Sequence, residues 1–162
     1  LYAGLMLTES GPKVLEYNCR FGDPECQCIL PRLQVDLVDV MEQVLAGTLE
    51  QDGVAVSADP AVCVVMAAGG YPGAYPKGDV IRGLDAGGQL ANAPGTTVFH
   101  AGTAKNAKGE VVTNGGRVLG VTASAATLKL AVARAYEAAE RITWPGAQYR
   151  KDIAGRALRR GA

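Results

Sequence analysis

The segment Glu-Tyr-Asn-Cys-Arg-Phe-Gly-Asp-Pro-Glu at residues 16–25 concentrates ionisable and metal-binding side chains directly after an apolar, strand-like run. Successive strand side chains alternate between faces, so Glu16 and Asn18 are predicted to project from the same face. A carboxylate and a carboxamide would then present oxygens to one point. Such oxygens suit a hard divalent cation, Mg²⁺ above all. The segment therefore predicts a metal site at Glu16 and Asn18.

The second half of this segment forms a turn through Gly22 that brings charged side chains to the end of the strand. Arg20, Asp23 and Glu25 all lie in that turn. Loops at strand ends commonly hold ligand-binding groups on a rigid scaffold. We therefore expect these three side chains to contribute to the same site as the metal ligands.

The overall composition is that of a globular protein. The 162 residues are 48% hydrophobic and 20% charged, which is enough apolar material for one core or two small ones. Sixteen basic and sixteen acidic residues cancel, so no global field attracts nucleic acid or an anionic membrane. No apolar run approaches the about 18 residues of a membrane span, and the N-terminus lacks a basic signal-peptide start. These features predict a cytoplasmic location with neither membrane nor nucleic acid as partner.

The cysteines and the single histidine are expected to be structural. Cys19, Cys26, Cys28 and Cys63 lack the paired spacing of a zinc site. Reduced thiols are favoured over a disulfide in a cytosolic setting. His100 is predicted to pack through hydrogen bonds; a proton-carrying role is the alternative, because its ordinary pKa permits either.

The first third of the chain is predicted to form a hairpin and two helices. Apolar runs at 2–8 and 13–19 flank a turn-rich tetrapeptide, which indicates a β-hairpin. A short helix is expected from Pro24 to about Leu30, ended by Pro31. A longer helix is expected over 37–46, capped by Asp36 and Gly47, with an apolar stripe that belongs to a core: Leu37, Val38, Met41, Val44 and Leu45.

The remainder reads as a second unit, joined by a linker at 48–60 with the boundary near residue 57. It opens with a continuous apolar strand over 61–68, typical of burial on both faces. The glycine-rich loop at 69–73 lacks the spacing of a phosphate-binding loop and is predicted to be a structural turn. Further strands are expected at 80–84 and 98–104, a hairpin at 110–122 around Asn114-Gly115-Gly116, a helix at 125–141 and a terminal helix at 149–160.

Arg117 follows the Asn-Gly-Gly turn and is not explained by it. Its guanidinium can fork onto a phosphate or a carboxylate if the turn faces a cleft. An exposed strand arginine without such a role is the commoner alternative. We therefore retain Arg117 as a candidate substrate contact.

The chain also starts inside a strand-like segment at Leu1, without an initiator methionine. That start predicts the tail end of a longer protein. A front part would then be expected to hold the other half of any active site.

Five motifs in order resemble one family. Residues 16–27 closely resemble a motif of the glycinamide ribonucleotide synthetases, which are ATP-grasp ligases of purine biosynthesis. The resemblance continues through residues 1–6, 69–73, 99–103 and 112–119, so it covers nearly the whole chain. The resemblance implies an α+β fold, in which residues 1–57 end an ATP-grasp core of hairpin and helices. Residues 58–162 would then be a small, mainly antiparallel β domain with a packed helix.

The resemblance also implies an activity. The family joins glycine to 5-phosphoribosylamine through glycyl phosphate, with cleavage of ATP. Glu16 and Asn18 would hold Mg²⁺, or Mn²⁺, against the ATP phosphates, and Leu15 would contact the nucleotide. Arg20 would be catalytic, acting on the transferred phosphoryl group or the glycine carboxylate, while Asp23 and Glu25 would meet the glycine ammonium.

The resemblance leaves one departure and two alternatives. Many ATP-grasp enzymes take a further metal carboxylate from the preceding strand, where this chain has Gly4. The parts that clamp ATP and bind phosphoribosylamine would all precede Leu1, so this chain alone is expected to be inactive. A related purine-pathway ATP-grasp carboxylase or ligase shares the same metal ligands, and a non-catalytic interaction module is the other alternative.

Overall fold

A computed structural model describes residues 2–50 and 52–159 of the chain. Leu1, at the start of the first family-like motif, lies outside the described residues. Residue 160 of the expected terminal helix also lies outside them.

The chain begins with an antiparallel hairpin, as predicted. Strand β1 (Tyr2–Thr8) pairs with strand β2 (Gly11–Asn18) around a tight turn at residues 9–10. Gly11 opens β2 at φ +99°, a conformation that residues with a side chain rarely adopt. The second strand begins at Gly11, two residues before the start at residue 13 that the apolar pattern indicated.

Two helices follow the hairpin. Helix α1 (Cys26–Ile29) continues into a 3₁₀ turn (Leu30–Arg32), so Pro31 tightens the helix end instead of stopping it at residue 30. Helix α2 (Leu37–Ala46) has the predicted bounds. The Asp36 carboxylate accepts a hydrogen bond from the Val38 amide at 2.7 Å, and Gly47 ends the helix at φ +69°. Both predicted caps are confirmed.

The apolar stripe of α2 is not a core in this structure, and that prediction was wrong. No residue of α2 is buried, and the side chains of Val38, Met41 and Leu45 are 59%, 51% and 89% exposed. Helical periodicity shows that a face is suited to burial, but it carries no information about which partner covers it. No element of the described residues covers this face.

The segment after α2 folds back on the 3₁₀ turn. The Gln34 amide donates to the Ala55 carbonyl, and the Ser57 amide donates to the Arg32 carbonyl at 2.7 Å. The Arg32 guanidinium returns a hydrogen bond to the Ser57 carbonyl, also at 2.7 Å. The predicted linker is therefore tied to the first third of the chain up to residue 57.

A three-stranded antiparallel sheet forms the centre of the second part. Strand β7 (Arg117–Ser124) lies between β3 (Ala61–Ala67) and β4 (Thr96–His100). Helix α3 (Leu128–Glu140) packs on one face through alanines at positions 131, 135, 138 and 139. The small alanine side chains let helix and sheet approach closely, and the largest fully buried side chains are Met66, Leu119, Ile142 and Val64.

Strand β5 (Thr103–Lys105) pairs with β6 (Val111–Thr113) in a separate two-stranded sheet. The predicted hairpin at 110–122 was therefore wrong, because β6 and β7 belong to different sheets. The Asn114 amide donates to the Gly102 carbonyl at 2.7 Å. Neither Gly115 nor Gly116 has a positive φ, so the Asn-Gly pair does not form a tight hairpin turn. The absence of side chains at Gly102 and Gly115 instead lets the two backbone segments approach closely, because a Cβ on Gly102 would lie 2.6 Å from the Gly115 Cα.

Other boundaries differ more modestly. The expected strand at 80–84 is replaced by two isolated bridges, Val80 with Val112 and Arg82 with Thr143. The expected strand at 98–104 is split into β4 and β5, because the chain bends at residues 101–102. Helix α3 begins at Leu128, where Thr127 caps it, and the terminal helix is reduced to α4 (Gly155–Arg159). The loop at 69–73 is a turn, as expected.

Candidate functional site

The hairpin brings the predicted metal ligands beside the start of β1. Tyr2 lies opposite Asn18 and Gly4 lies opposite Glu16 in the strand register. The register slips between Gly4 and Leu5, which leaves Leu15 without a partner. The Leu15 side chain is 64% exposed, so it can contact a ligand that covers this face of the hairpin. The slip is a β-bulge, a feature that re-aims side chains next to functional sites.

The donor groups of Glu16 and Asn18 are left over by the fold. Among the described residues the Glu16 carboxylate has no hydrogen-bond or ion-pair partner. The Asn18 Nδ2 is buried and also lacks a hydrogen-bond partner there. Buried amide groups are normally satisfied, so an unused one beside an unused carboxylate fits a ligand-dependent site. A hard divalent cation would be bound by the oxygens of the pair, the Glu16 carboxylate and the Asn18 Oδ1, whereas the unpaired Asn18 Nδ2 can only donate a hydrogen bond to an acceptor such as a phosphate oxygen.

The described residues do not supply a complete metal site by themselves. Residues 2–50 and 52–159 contain no group of three histidine, cysteine or acidic side chains placed to share an ion. Gly4 faces Glu16 without a carboxylate to add. Magnesium usually keeps waters and substrate phosphates in its remaining positions, so two protein oxygens agree with a cation held jointly with a nucleotide.

Arg20 follows the strand and points away from the fold. Its Nη1 donates to the Phe21 carbonyl at 3.0 Å, at an exposed position. No carboxylate of the described residues pairs with it. The guanidinium is therefore free to bind an anionic ligand.

Asp23 is engaged on both carboxylate oxygens. Its Oδ2 accepts a hydrogen bond from Arg117 Nη2 at 2.9 Å, and its main-chain carbonyl accepts from Arg117 Nη1 at 3.2 Å. Its Oδ1 accepts from Gln27 Nε2 at 2.9 Å. The structure thus brings together two predicted site residues, Asp23 and Arg117, that lie 94 positions apart.

Glu25 is held by the first strand. The Tyr2 hydroxyl donates to Glu25 Oε1 at 3.0 Å. This hydrogen bond to a carboxylate, with the negative charge behind it, raises the pKa of Tyr2 above its ordinary value. This hydrogen bond therefore joins the start of β1 to the end of the turn that carries Arg20, Asp23 and Glu25.

Helix α1 lies on the central sheet at Gly120. A Cβ on Gly120 would stand 3.1 Å from Cys63 Sγ and 3.7 Å from Gln27 Cγ, so the absence of a side chain makes room for both. Burial raises the pKa of the Cys63 thiol to about 11 and also raises the pKa of Cys28. All four cysteines are free thiols, as predicted.

His100 is a packing residue, as predicted. Its Nδ1 lies 3.0 Å from the Thr103 hydroxyl and its Nε2 lies 2.9 Å from the Gly88 carbonyl. One ring nitrogen joins β4 to the start of β5, and the other joins β4 to the loop at Gly88. A proton-carrying role would require one of them to be released.

Two contributors to the site were missed by sequence reasoning. Gln27 lies four positions after Asp23, a spacing at which helical side chains meet, so the pattern held a usable signal. Tyr2 reaches Glu25 only because the hairpin register places the start of β1 beside the turn. A cavity of about 350 Å³ also borders Arg117; its other lining residues are Val65, Ala67, Tyr71, Gln148, Tyr149 and Arg150.

Comparison with known proteins supports the assignment that the motifs suggested. The family model described as phosphoribosylglycinamide synthetase, C domain, matches residues 61–156. The model described as the ATP-grasp (A) domain of phosphoribosylglycinamide synthetase matches residues 1–26. The first covers the central sheet and α3, and the second covers the hairpin and the turn with Arg20 and Asp23.

Curated relatives agree with both models. The chain is 54% identical over 159 residues to phosphoribosylamine–glycine ligase of Rhodopirellula baltica, covering 98% of this chain and 36% of that protein. It is 48% identical over 161 residues to the chloroplastic phosphoribosylamine–glycine ligase of Arabidopsis thaliana, covering 98% of this chain and 30% of that protein. The chain thus spans about a third of the length of these relatives.

A solved structure gives the same result for the fold. The crystal structure of phosphoribosylamine–glycine ligase from Thermotoga maritima superposes with a TM-score of 0.76 at 37% identity. The match covers 93% of this chain and 35% of that one. The mixed α and β architecture with antiparallel sheets is therefore shared. The chain belongs to the phosphoribosylglycinamide synthetase family.

Proposed function

We propose that this chain is the C-terminal portion of an ATP-dependent ligase that joins glycine to 5-phosphoribosylamine, giving glycinamide ribonucleotide, ADP and phosphate. The observation that carries the proposal is the Glu16 carboxylate, which has no hydrogen-bond or ion-pair partner among the described residues and lies two positions before Asn18 on the same strand. Both residues lie in a segment that matches the family's ATP-grasp model. Relatives that align with 98% of this chain are named for this ligation. A purine-pathway role follows from that reaction.

Glu16 and Asn18 are proposed to hold a divalent cation, Mg²⁺ or Mn²⁺, with ATP as co-substrate. Such a cation would neutralise the charge that develops as a phosphoryl group moves. Leu15 is proposed to pack against the nucleotide, since its side chain is exposed on the same hairpin. The remaining ligands would come from the phosphates, from water or from other parts of the protein.

Two steps complete the proposed reaction. A glycine carboxylate oxygen attacks the γ-phosphorus of ATP, the bond to the β-phosphate oxygen breaks, and ADP leaves. The phosphoribosylamine nitrogen then attacks the carbonyl carbon of glycyl phosphate, phosphate leaves, and the nitrogen loses a proton. Arg20 is the proposed catalytic side chain, because its exposed guanidinium can fork onto the glycine carboxylate or the transferred phosphoryl group.

Asp23 and Glu25 are proposed to lie beside the glycine, with Arg117 paired to Asp23. The Asp23 and Arg117 side chains are 50% and 43% exposed despite their pairing. An ionised carboxylate has about four acceptor sites, so Asp23 can accept from Arg117 and Gln27 and still meet an ammonium group. Glu25 has one oxygen bound to Tyr2 and the other available in the same way.

The chain is proposed to need further lobes of the same protein. It spans 36% of the Rhodopirellula baltica ligase, and residues 1–57 and 58–162 are proposed as the end of the ATP-grasp core and the C-terminal domain. The chain alone is expected to be inactive.

No helix within residues 2–50 and 52–159 combines the length and the apolar character needed to cross a membrane. A cytoplasmic location remains a prediction.

The test uses the full-length protein in which this chain is the C-terminal portion. We expect glycine- and phosphoribosylamine-dependent release of ADP, and at least a hundredfold loss, on the order of 3 kcal/mol of transition-state stabilisation, for Glu16→Gln. Glu9→Gln is the matched control, since Glu9 is an exposed carboxylate in the turn of the same hairpin. ADP release that does not depend on glycine would favour a related carboxylase. Wild-type catalysis by Glu16→Gln would overturn the metal site.

A further inference from the structure

Arg117 and Asp23 form the one ion pair that joins the hairpin side of the described residues to the central sheet. Arg117 Nη2 lies 2.9 Å from Asp23 Oδ2, and Arg117 Nη1 lies 3.2 Å from the Asp23 carbonyl oxygen. The guanidinium therefore hydrogen-bonds to both the side chain and the main chain of Asp23. A two-point contact fixes the direction of the peptide as well as its distance.

The base of Arg117 is rigid. It is the first residue of β7, where its backbone pairs with Ala67 of β3. Its carbonyl accepts a hydrogen bond from the Gly102 amide at 2.9 Å. A Cβ on Gly102 would stand 2.6 Å from that carbonyl oxygen, so this close contact requires glycine. The side chain thus extends from a point held by β3 on one side and by the bend at Gly102 on the other.

The target of Arg117 is the turn that carries the predicted catalytic arginine. Asp23 lies three residues after Arg20 and two before Glu25. Gln27 Nε2 binds the other Asp23 oxygen at 2.9 Å, and the Cys26 amide donates to the Gly22 carbonyl at 2.9 Å. The turn is therefore held at its centre by Arg117 and at its end by α1.

We propose that Arg117 is a positioning residue that sets the Arg20 turn through Asp23 and does not itself bind substrate. The inference deepens the proposed function and rests on it. Two guanidinium nitrogens are used on Asp23, and the Asp23 carboxylate offsets the Arg117 charge. A phosphate ligand of Arg117 would have to share the guanidinium with that carboxylate, whose negative charge would repel it.

The first experiment measures the turn without any substrate. Hydrogen exchange of a peptide covering residues 19–27 is followed in the full-length protein and in Arg117→Ala. An exposed ion pair contributes on the order of 0.2–1 kcal/mol, so exchange is expected to quicken by about 1.4- to fivefold. Arg150→Ala is the matched control, because Arg150 pairs with Asp152 only two residues away and bridges no elements. Unchanged exchange in Arg117→Ala would overturn the proposal.

The second experiment separates positioning from substrate binding. A displaced turn is expected to lower kcat of Arg117→Ala by about tenfold to a hundredfold, with KM for glycine, ATP and phosphoribosylamine each within about twofold. Added guanidinium should restore part of the rate, and Arg117→Lys, which lacks the fork, should remain impaired. A selective rise in one KM in Arg117→Ala would identify Arg117 as a ligand of that substrate and overturn the proposal. A parallel rise in Arg150→Ala would place that substrate in the cavity the two arginines share.

Failure of the positioning proposal and failure of the proposed function are distinguishable. If the wild-type protein shows no glycine-dependent ADP release, the proposed ligation is wrong. The exchange measurement still reports whether Arg117 orders the turn, because it uses no substrate. If ADP release is normal while exchange and kcat are unaffected in Arg117→Ala, only the positioning role is wrong.

Discussion

Gly4 lies directly across the hairpin from Glu16, and a methyl group on Gly4 would stand 3.3 Å from the Glu16 Cγ. That distance is tighter than ordinary van der Waals contact, so a side chain at position 4 would move the Glu16 stem. The missing side chain at Gly4 therefore affects where the Glu16 carboxylate lies.

Gly4→Ala in the full-length protein is expected to raise the Mg²⁺ concentration needed for half-maximal ADP release by about tenfold. Substitutions that disturb the groups around a metal ligand commonly weaken metal affinity by at least that factor. The measurement is a magnesium titration of the rate. Ala3→Ser is the control, since Ala3 is exposed and pairs with Tyr17; it should keep the wild-type requirement. An unchanged requirement in Gly4→Ala would argue against a cation at Glu16.

Gly120→Ala is expected to lower the free energy of unfolding by about 1–3 kcal/mol, because the new methyl group overpacks against the Cys63 sulfur, 3.1 Å away. Urea denaturation of the chain measures the change. Gly155→Ala is the control: its new methyl group meets only the flexible end of Arg159 at 3.5 Å, so helix propensity should stabilise it slightly. Adding Cys63→Ala to Gly120→Ala should recover part of the loss. If the loss of unfolding free energy in the double variant equals the sum of the two single losses, the new methyl group at position 120 does not collide with the Cys63 side chain.

Two methionines provide a matched test of the core. Met66 is fully buried in β3, whereas Met41 on the uncovered stripe of α2 is 51% exposed. Met66→Ala is expected to lower the free energy of unfolding of this chain by about 2–5 kcal/mol, through lost transfer free energy and a cavity. Met41→Ala should cost less than about 1 kcal/mol. Equal losses in urea denaturation would show that α2 is covered in this chain after all.

Thiol labelling is expected to follow burial. Burial raises the pKa of Cys63 to about 11, so its unreactive protonated form dominates at pH 8, while exposed Cys19 labels first. Because the folded pKa lies above the ordinary value of 9.0, the protonated thiol stabilises the fold below pH 9.0, and this contribution is lost as pH rises through about 11. Mass spectrometry after iodoacetamide treatment measures the order. Labelling of Cys63 at the rate of Cys19 in folded protein would contradict it.

Local features of the fold could be predicted from the sequence. The hairpin at 2–18, the caps of α2 at Asp36 and Gly47 and the buried strand β3 each depend on neighbouring residues, and all three were found. The Glu16 and Asn18 pair was also visible, because strand alternation is a local rule.

Long-range pairing could not be predicted in the same way. The Asn114-Gly115 signal is that of a tight hairpin turn, but the Asn114 amide bonds to Gly102, and that pairing takes β6 into another sheet. Arg117 likewise finds Asp23 across 94 positions, and no pattern within either segment records the other. The stripe of α2 was read as core because periodicity predicts a buried face without identifying its cover.

The hydrogen bonds between Arg117 and Asp23 also set an order of events during synthesis. Residue 23 leaves the ribosome 94 residues before residue 117, so the turn with Arg20 exists first as a loop with nothing to fix its centre. The guanidinium belongs to β7, so it can reach Asp23 only after residue 117 has been made. A truncated product that ends before residue 117 would carry both proposed metal ligands and Arg20, yet lack the guanidinium that hydrogen-bonds to Asp23.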